Sequence, residues 1–183
     1  MLKQVQHDGS CPVLTTEGLR LRPFRESDLD AQAKCMGDRE VVRYLGGTPF
    51  SREDTWRRML TGPGMWAMRG YGFWAVEDAA TGAWLGQLGF ADFKRDMTPS
   101  IEGLPEMGWI FAPDAQGRGY AGEAAATALD WADAALRARE IVAIIEPGNV
   151  PSIRLAEKIG FAEREDAAYR GETILLFRRR TAP

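Results

Sequence analysis

The residues best suited to chemistry are the glycines Gly117, Gly119 and Gly122, which follow an apolar run and open an alanine-rich stretch. Glycine lets a ligand come close to the backbone, and a helix N-terminus offers unpaired N–H groups with a partial positive charge. This combination is typical of a loop that binds a phosphate group. The same glycines also suit a simple tight turn, so the loop alone leaves both interpretations open.

The spacing Gly-x-Gly-x-x-Gly is also that of the dinucleotide-binding fingerprint, and Glu146 stands near the position of its ribose-binding acid. The surrounding sequence argues against NAD. Residues 113–116 separate the glycines from the preceding strand, whereas the fingerprint turns directly off a parallel strand. Too few elements follow the loop to complete a doubly wound sheet. An NAD-binding oxidoreductase is therefore only the third hypothesis for function.

Hydrophobic periodicity predicts the elements that lie before the loop. Strand-like runs occur at 19–24, 71–78, 83–93 and 106–112. The last three are joined by turns, which indicates an antiparallel meander. Ser27 and Ser51 are typical caps of two helices that precede this meander. The segment 61–64, which contains a proline, is expected to break or kink the second helix.

Behind the loop, the pattern predicts a helix from about 120 to 137 with a buried stripe of small residues. Residues 141–146 are a continuous apolar run, typical of a central strand. Asn149 caps a further helix, which Gly160 ends, and two strands then form a closing hairpin. The predicted fold is an α/β (α+β) domain at 16–181 with about four helices, preceded by an N-terminal arm at 1–15.

Composition excludes several classes of function. The 23 basic and 26 acidic residues are interspersed and leave a net charge of -3, so no nucleic-acid partner is expected. No apolar run is long enough to span a membrane, and the N-terminus is too polar for a signal peptide. Cys11, Cys35 and the single histidine, His7, do not suffice for a metal site. We therefore expect a cytoplasmic protein with two unpaired thiols and no metal.

Three stretches of the sequence resemble the GCN5-related N-acetyltransferases, the GNAT family. The loop 116–121 ("QGRGYA") is similar to the family's Q/R-x-x-G-x-G/A motif, and residues 149–161 ("NVPSIRLAEKIGF") resemble its second signature. Residues 17–31 resemble the start of the branch that contains ribosomal-protein N-terminal acetyltransferases. Together these stretches cover the chain from about 16 to 180, in the family's order.

The resemblance implies a mixed, mostly antiparallel sheet that splays between the strands ending near Ala112 and Glu146. Acetyl-CoA lies in this opening in the family, and backbone N–H groups of the loop hold its pyrophosphate. Carried over to this sequence, the pyrophosphate-binding residues are Gln116, Gly117, Arg118, Gly119, Tyr120, Ala121 and Gly122. No metal is implied.

The rest of the implied acetyl-CoA site lies on the neighbouring strand and helix. The pantetheine arm would pair with the backbone of Ile110 and Phe111 like an added strand. Asn149 and Ser152 would contact CoA at the start of the next helix. For each of them, a role in capping that helix is an alternative or additional reading.

Acetyl transfer to an amine needs a base, and two carboxylates compete for this role. Glu106 leads the strand 106–112 and matches an acidic position of the related branch, so the resemblance implies Glu106 as the catalytic base. Glu146, at the end of the neighbouring strand, is the competing candidate. Either carboxylate acts directly, acts through a water, or only attracts a cationic amine.

The group that protonates the leaving sulfur is also open. Many members of the family carry a tyrosine where this sequence has Ala156, so the usual phenol is absent. Ser152 is the nearest hydroxyl in the motif and is the second predicted catalytic residue. Tyr44, Tyr71 and Tyr169 are distant in sequence, and no spacing supports them as the acid.

The leading hypothesis is an acetyl-CoA-dependent N-acetyltransferase that modifies a primary amine by direct attack in a ternary complex. The acceptor is a small-molecule amine, a peptide or a protein N-terminus, and the protein is expected to be a monomer or homodimer. The alternative is a non-catalytic CoA-binding regulator of the same fold. Glu106, Asn149 and Ser152 favour catalysis, whereas Ala156 favours the regulator.

Overall fold

A single open sheet organises the chain in the computed structural model, which describes residues 9–136 and 138–181. Its nine strands within these residues are Leu14–Thr15 (β1), Leu19–Arg22 (β2), Phe73–Asp78 (β3), Trp84–Ala91 (β4), Met97–Thr98 (β5), Glu106–Phe111 (β6), Glu140–Ile145 (β7), Glu163–Tyr169 (β8) and Glu172–Arg180 (β9). Their order is β1-β2-β3-β4-β6-β7-β9-β8-β5. All neighbours are antiparallel except β6 and β7, which are parallel. The predicted fold class, a mixed and mostly antiparallel sheet, is confirmed.

The described residues form five α-helices, one more than the approximate count from the sequence. They are Leu29–Met36 (α1), Arg39–Val42 (α2), Arg52–Arg69 (α3), Tyr120–Ala135 (α4) and Val150–Lys158 (α5). The additional helix is α2, a single turn whose N-cap is Asp38. Two elements too short to have a periodic pattern, β1 and β5, were also missed.

The sequence predicted that the second helix would break or kink at 61–64, and the break was wrong, because α3 runs through Pro63 as one helix of 18 residues. Its buried face contains Thr55, Met59, Gly62 and Trp66. A Cβ on Gly62 would lie 2.8 Å from the ring of Phe24, so glycine allows close packing at this point. Burial of this face therefore offsets the backbone hydrogen bond that Pro63 removes.

The main core lies between the sheet and α4. Four alanines of α4 are fully buried, namely Ala124, Ala125, Ala128 and Ala132, and they let the helix approach the sheet closely. Trp131 of α4 packs edge-to-face on Trp74 of β3, with ring centroids 5.1 Å apart. The predicted stripe of small residues is thus confirmed at these four alanines, while Ala121 and Leu136 are only partly buried.

The sheet splits between β6 and β7. These strands share one register pair, Glu106 with Val142, whereas β6 pairs with β4, and β7 with β9, through six pairs each. Beyond Glu106, the edge of β6 that faces β7 has no strand partner. The segment after β6 leads into α4 and the segment after β7 leads into α5. The N-termini of both helices therefore flank the open end of the split.

A buried ion cluster fixes the helical layer over the other face of the sheet. Arg22 of β2 donates to both oxygens of Asp28, at 2.7 Å each, and also to Glu77 of β3. The hydrogen bonds from Arg22 to Asp28 are the main cause that raises the pKa of Arg22. The alternating pattern of β2 predicts an exposed Arg22, but the side chain is buried because two carboxylates satisfy it.

The last residues of the predicted N-terminal arm lie against the sheet. Leu14–Thr15 pairs with β2, and the indole N–H of Trp74 donates to the Pro12 carbonyl at 2.8 Å. Residues 1–8 of the arm, with His7, lie outside the described residues. The boundary between arm and domain at residue 15 stays a prediction.

Candidate active site

The glycine loop has the geometry that an anion site needs. Gly117 and Gly119 have φ values of 72° and 85°, in the left-handed region that favours glycine. A Cβ on either residue would meet no atom within 4 Å, so the space above the loop is open. Gly119 is the N-cap of α4, and the N–H of Glu123 makes the bond to its carbonyl. The N–H groups of residues 120–122 therefore lack intrahelical partners and are available to a phosphate.

Two cationic side chains lie near this loop. The Arg118 guanidinium stacks on the ring of Tyr120, 4.9 Å from its centroid. A Cβ on Gly122 would lie 3.9 Å from Lys158 Nζ, so α5 brings this ammonium next to the start of α4. Neither cation forms an ion pair within the described residues. Lys158 was missed as a site residue, although it stands inside the second signature.

A side-chain hydrogen bond from the glycine loop holds the end of β6 in place. Gln116 Nε2 donates to the Phe111 carbonyl at 3.0 Å, and the N–H of Ala112 donates to Leu85 of β4. The N–H of Ala112 points to β4, so by strand alternation the backbone groups of Ile110 also point to β4, and those of Trp109 and Phe111 point to the split. The carbonyl of Phe111 thus already has one partner, and the predicted pantetheine pairing with Ile110 and Phe111 remains a prediction.

Asn149 and Ser152 have separate roles at the start of α5. Asn149 Oδ1 accepts from the backbone N–H of Ser152 at 3.3 Å, which makes Asn149 the helix cap. The Ser152 hydroxyl instead accepts from the indole N–H of Trp109 at 3.2 Å. Because Trp109 lies on β6, this bond links α5 to β6 across the split. In the described part of the chain, no acceptor is recorded for the proton of Ser152 Oγ.

The tyrosines considered as the source of the proton lie in different environments. Ala156, at the position where the family often has tyrosine, is fully buried in the main core. Tyr44 lies beside the start of α5, since a Cβ on Gly148 would be 3.3 Å from its ring. Tyr71 is buried and accepts from Arg69, and Tyr169 accepts from Arg95.

Glu106 is 5% exposed and is held by one arginine. Arg95 Nε donates to Oε2 at 2.6 Å and Nη2 donates to Oε1 at 2.8 Å, while Nη1 donates to the hydroxyl of Tyr169 at 2.8 Å. Burial acts to lower the pKa of Arg95, but the interactions with Glu106 and Tyr169 outweigh it and raise that pKa. Glu146, by contrast, is half-buried and forms no ion pair within the described residues.

A cavity of about 840 Å³ lies on the sheet face opposite α4. Its lining includes Gln32, Arg58, Phe73, Gln87, Arg95 and Tyr169. Gln87 and Ala91 of β4 face this cavity, while Leu88 and Phe90 between them face the main core, as strand alternation requires. Gln32 Nε2 donates to Gln87 Oε1 at 2.7 Å, and the buried Oε1 of Gln32 has no hydrogen-bond partner.

Two lining residues connect the cavity to β6, the strand that borders the split. Arg95 lines the cavity and binds Glu106 at the start of this strand. A Cβ on Gly108, two residues along β6, would lie 3.2 Å from the ring of Phe73, another lining residue. Two residues that line the cavity, Arg95 and Phe73, therefore contact β6, the strand that borders the split.

The two thiols are not activated as nucleophiles. Burial raises the pKa of Cys11 and of Cys35 to about 12, and Asp38 and Asp114 add to the effect at Cys35. Both thiols are free and stay protonated at neutral pH, which makes them unreactive. Among residues 9–136 and 138–181, no cluster of metal-binding side chains occurs, and no helix has the length and apolarity needed to cross a membrane.

Comparisons with known proteins agree on one family. A family model described as the acetyltransferase (GNAT) domain matches residues 18–162. The uncharacterized protein YkkB of Bacillus subtilis strain 168 is 35% identical over 156 residues, which are 80% of this chain and 83% of YkkB. The crystal structure of an acetyltransferase from Agrobacterium tumefaciens strain C58 is 30% identical, with a TM-score of 0.77, and covers 92% of this chain and 94% of that one.

A more distant neighbour shares the fold. It is a spermidine N-acetyltransferase from Vibrio cholerae, solved in complex with CoA and spermine. It is 20% identical to this chain, with a TM-score of 0.70, and the match covers 91% of this chain and 97% of that chain.

Proposed function

The chain belongs to the GNAT acetyltransferase family, and from this premise we propose that it transfers the acetyl group of acetyl-CoA to a primary amine bound in the 840 Å³ cavity. The observation that carries the proposal is that three features adjoin β6, directly or through Arg95 and Phe73, which contact this strand and line the cavity. The three features are the open glycine loop, the unpartnered strand edge and the cavity on the adjoining face.

The proposed acetyl-CoA site uses groups that lack other partners. The pyrophosphate binds the free N–H groups at residues 120–122, and Arg118 and Lys158 add positive charge beside it. Gly117 and Gly119 leave the required room. The pantetheine amides bind the edge of β6 beyond Glu106, as an added strand does. The thioester then lies along β6, the strand that Arg95 links to the cavity.

The proposed transfer is a direct attack in a ternary complex. The neutral amine nitrogen forms a bond to the acetyl carbonyl carbon, the bond from that carbon to sulfur breaks, and the amine loses one proton. Glu106 is the proposed base, directly or through a water, because the fork from Arg95 leaves a lone pair on each of its oxygens. Glu146 is the competing base. Ser152 supplies or relays the proton that the leaving sulfur takes up.

The acceptor is a small-molecule amine or the N-terminus of a peptide. The cavity volume lies within the usual range for small-molecule sites. An N–H group of the acceptor is complementary to the unpaired Oε1 of Gln32. The cytoplasmic location, the monomeric or dimeric state, and the absence of nucleic-acid and membrane partners remain predictions from the sequence.

Two observations favour a second candidate function, a CoA-binding regulator without catalysis. Ala156 replaces the phenol that many relatives use, and Glu106 is engaged with Arg95. Both functions require CoA binding, so turnover separates them. A regulator would bind acetyl-CoA without releasing CoA in the presence of any amine.

The test combines binding with turnover. Acetyl-CoA is expected to raise the Tm of the protein, whereas NAD is not, because only a ligand of the folded state stabilises it. CoA release is then measured with a panel of amino acids, peptides, polyamines and simple amines. Amine-dependent release supports the proposal, binding without release supports the regulator, and equal stabilisation by NAD contradicts both.

A further inference from the structure

The cavity wall carries more positively charged than negatively charged side chains. The charged lining residues are Arg58, Lys94, Arg95, Asp96 and Arg170. Lys94 is neutralised by Asp92, with Nζ 2.7 Å from Oδ2, and it also pairs with Glu102. Arg95 is neutralised by Glu106. Of the three charged lining residues without an ion pair within the described residues, Arg58 and Arg170 are basic and Asp96 is acidic, so positive charge predominates.

Arg58 is a cation without a counterion. It lies on α3 and stacks on the ring of Phe50, 4.6 Å from the centroid, which orients the guanidinium but leaves its charge in place. No carboxylate pairs with it within the described residues. Desolvation by the surrounding protein and the positive charge of Arg95 both lower the pKa of Arg58. An anion bound beside it would offset both effects.

Arg170 adds a second unpaired cation at the β8–β9 turn. Its guanidinium lies over the ring of Tyr169, 5.1 Å from the centroid, and it has no carboxylate partner in the described part of the chain. Arg170 and Lys94 are the two non-glycine residues with positive φ among those described, at 55° and 52°. Both line the cavity, and uncommon backbone conformations of this kind often cluster where ligands bind.

Cationic acceptors find few partners in this cavity. Asp96 is the one carboxylate in the described lining, which also holds two arginines, Arg58 and Arg170, that have no ion pair within the described residues. Glu106, behind the wall, already accepts from Arg95 with both oxygens. A polyamine would bring its second and third ammonium groups next to Arg58 and Arg170, where like charges repel. A negatively charged group would be attracted instead.

We propose that the acceptor amine carries an anionic group, a carboxylate or a phosphate, and that Arg58 binds this group and sets the specificity of the cavity. This inference rests on the proposed N-acetyltransferase function, since it names the chemical class of its acceptor. The planar guanidinium suits a two-oxygen anion, because it donates two parallel hydrogen bonds. Arg170, at the β8–β9 turn, contributes further positive charge to the cavity.

Matched amines test the inference in the intact protein. ω-Amino carboxylates and ω-aminoalkyl phosphonates are compared with alkylamines and α,ω-diamines of the same chain length. We expect the acidic amines to have a higher kcat/KM and to raise the Tm of the CoA-bound protein, while the neutral and cationic analogues do not. Comparing the amino carboxylates with the aminoalkyl phosphonates shows which anionic group the cavity prefers.

Variants assign the effect to Arg58. Arg58→Gln is expected to raise KM for acidic amines by about 10- to 100-fold and to leave KM for the alkylamines unchanged. Arg57→Gln is the matched control, because Arg57 lies on the same helix, pairs with Glu53 and Asp54, and does not line the cavity. Arg58→Glu is expected to shift the preference toward diamines.

The outcomes separate this inference from the proposed function. Equal kcat/KM for acidic and neutral amines, or equal effects of Arg58→Gln and Arg57→Gln, would overturn the inference and leave the N-acetyltransferase proposal standing. Acidic amines that stabilise the CoA-bound protein through Arg58 without being acetylated would support an anion site and contradict catalysis. Acidic amines that neither bind nor react would overturn the inference.

Discussion

Arg95, which lines the cavity, donates to both carboxylate oxygens of Glu106 at the start of β6, at 2.6 and 2.8 Å. The same arginine also donates to Tyr169, so one guanidinium joins β6 to β8. This ion pair gives Glu106 a different environment from Glu146, the other carboxylate that the sequence offered as the catalytic base. Glu106 is buried with a fixed orientation, whereas Glu146 is half-buried and has no ion pair within the described residues.

Replacing Glu106 by glutamine tests the proposed base. Glu106→Gln keeps the shape of the side chain but removes the proton acceptor, so we expect kcat to fall about 10²-fold or more. The affinity for acetyl-CoA should change little, because the loop and the β6 edge do not depend on this carboxylate. The measurement is steady-state turnover at saturating acetyl-CoA, with the Tm recorded for each variant.

Glu146→Gln is the companion variant. Glu106→Gln also leaves Arg95 without its carboxylate, so a lower Tm is expected from that change and not from Glu146→Gln. The loss of turnover must therefore exceed any loss of folded protein. A large decrease in kcat for Glu146→Gln, with Glu106→Gln nearly as active as the wild type, would give the role of base to Glu146.

The glycine loop is tested by a change that adds charge where the phosphates bind. Gly119→Glu adds a side chain and a negative charge to an open, left-handed position, and it should abolish the rise in Tm caused by acetyl-CoA. Gly103→Glu is the control, because Gly103 also has positive φ and open space but lies far along the chain from the loop. If both variants retain the shift, the pyrophosphate does not bind at Gly119.

Most of the fold could be predicted from the sequence because hydrophobic periodicity and caps are local signals. The meander β3–β4–β6, the helix α4 and the closing hairpin all lie where the patterns predicted them. The prediction of a break failed at α3, where the helix continues through Pro63 and Gly62 packs on Phe24. Sequence alone does not specify a contact between residues that are 38 positions apart.

The sequence predicted the site residues that belong to a motif. It missed the residues that come together from separate elements of the fold. The loop and Asn149 are motif positions, and their caps and open space agree with that assignment. Arg95 lies in a loop, and Arg58 and Gln32 lie in helices that contain no functional motif. Only the fold brings these three residues to one cavity. Their roles follow from tertiary contacts, which periodicity does not report.

The burial of Ala156 changes the result that is expected from replacing it by tyrosine. A tyrosine at this position would restore the phenol found in many relatives, but Ala156 is fully buried in the main core. Ala156→Tyr is therefore expected to destabilise the protein by about 1–3 kcal/mol or more through overpacking. Ala126→Tyr, at an exposed position of α4, is the control. Urea unfolding measures both, and an unchanged stability for Ala156→Tyr would contradict this burial.

Asp92 is expected to make stability depend on pH. Burial acts to raise the pKa of Asp92, but hydrogen bonds from Lys94 and Gly103 outweigh it and lower that pKa below its usual value. The stabilisation is therefore present above the unfolded-state pKa of about 3.9, and it is lost as the pH falls through the lower folded-state value. Asp92→Asn should reduce the free energy of unfolding at pH 7.

The control for this effect is Asp166→Asn, which removes an exposed carboxylate that has no ion pair within the described residues. Unfolding by urea is measured for both variants between neutral and acidic pH. The difference between wild type and Asp92→Asn should shrink below about pH 4, as Asp92 becomes protonated in both states of the wild type. A difference that does not change with pH would contradict the proposed origin of the stabilisation.

Ser152 is the remaining test of the chemistry. Asn149 is the helix cap, so Ser152→Ala should leave the Tm nearly unchanged, while the bond from Trp109 loses its acceptor. A serine hydroxyl is a weak acid, and its removal should therefore cost less than the loss of a committed acid. We expect turnover to fall about 10- to 100-fold, with little change in acetyl-CoA affinity.

The control for Ser152→Ala is Trp109→Phe, which removes the indole donor but keeps the serine hydroxyl. If the hydroxyl supplies or relays the proton to sulfur, Ser152→Ala should lose more activity than Trp109→Phe, which affects only the orientation of the hydroxyl. Full activity in Ser152→Ala would mean that the serine has no part in catalysis. Tyr44, whose ring lies beside Gly148 at the start of α5, would then be the hydroxyl to replace, and Tyr44→Phe should lower kcat.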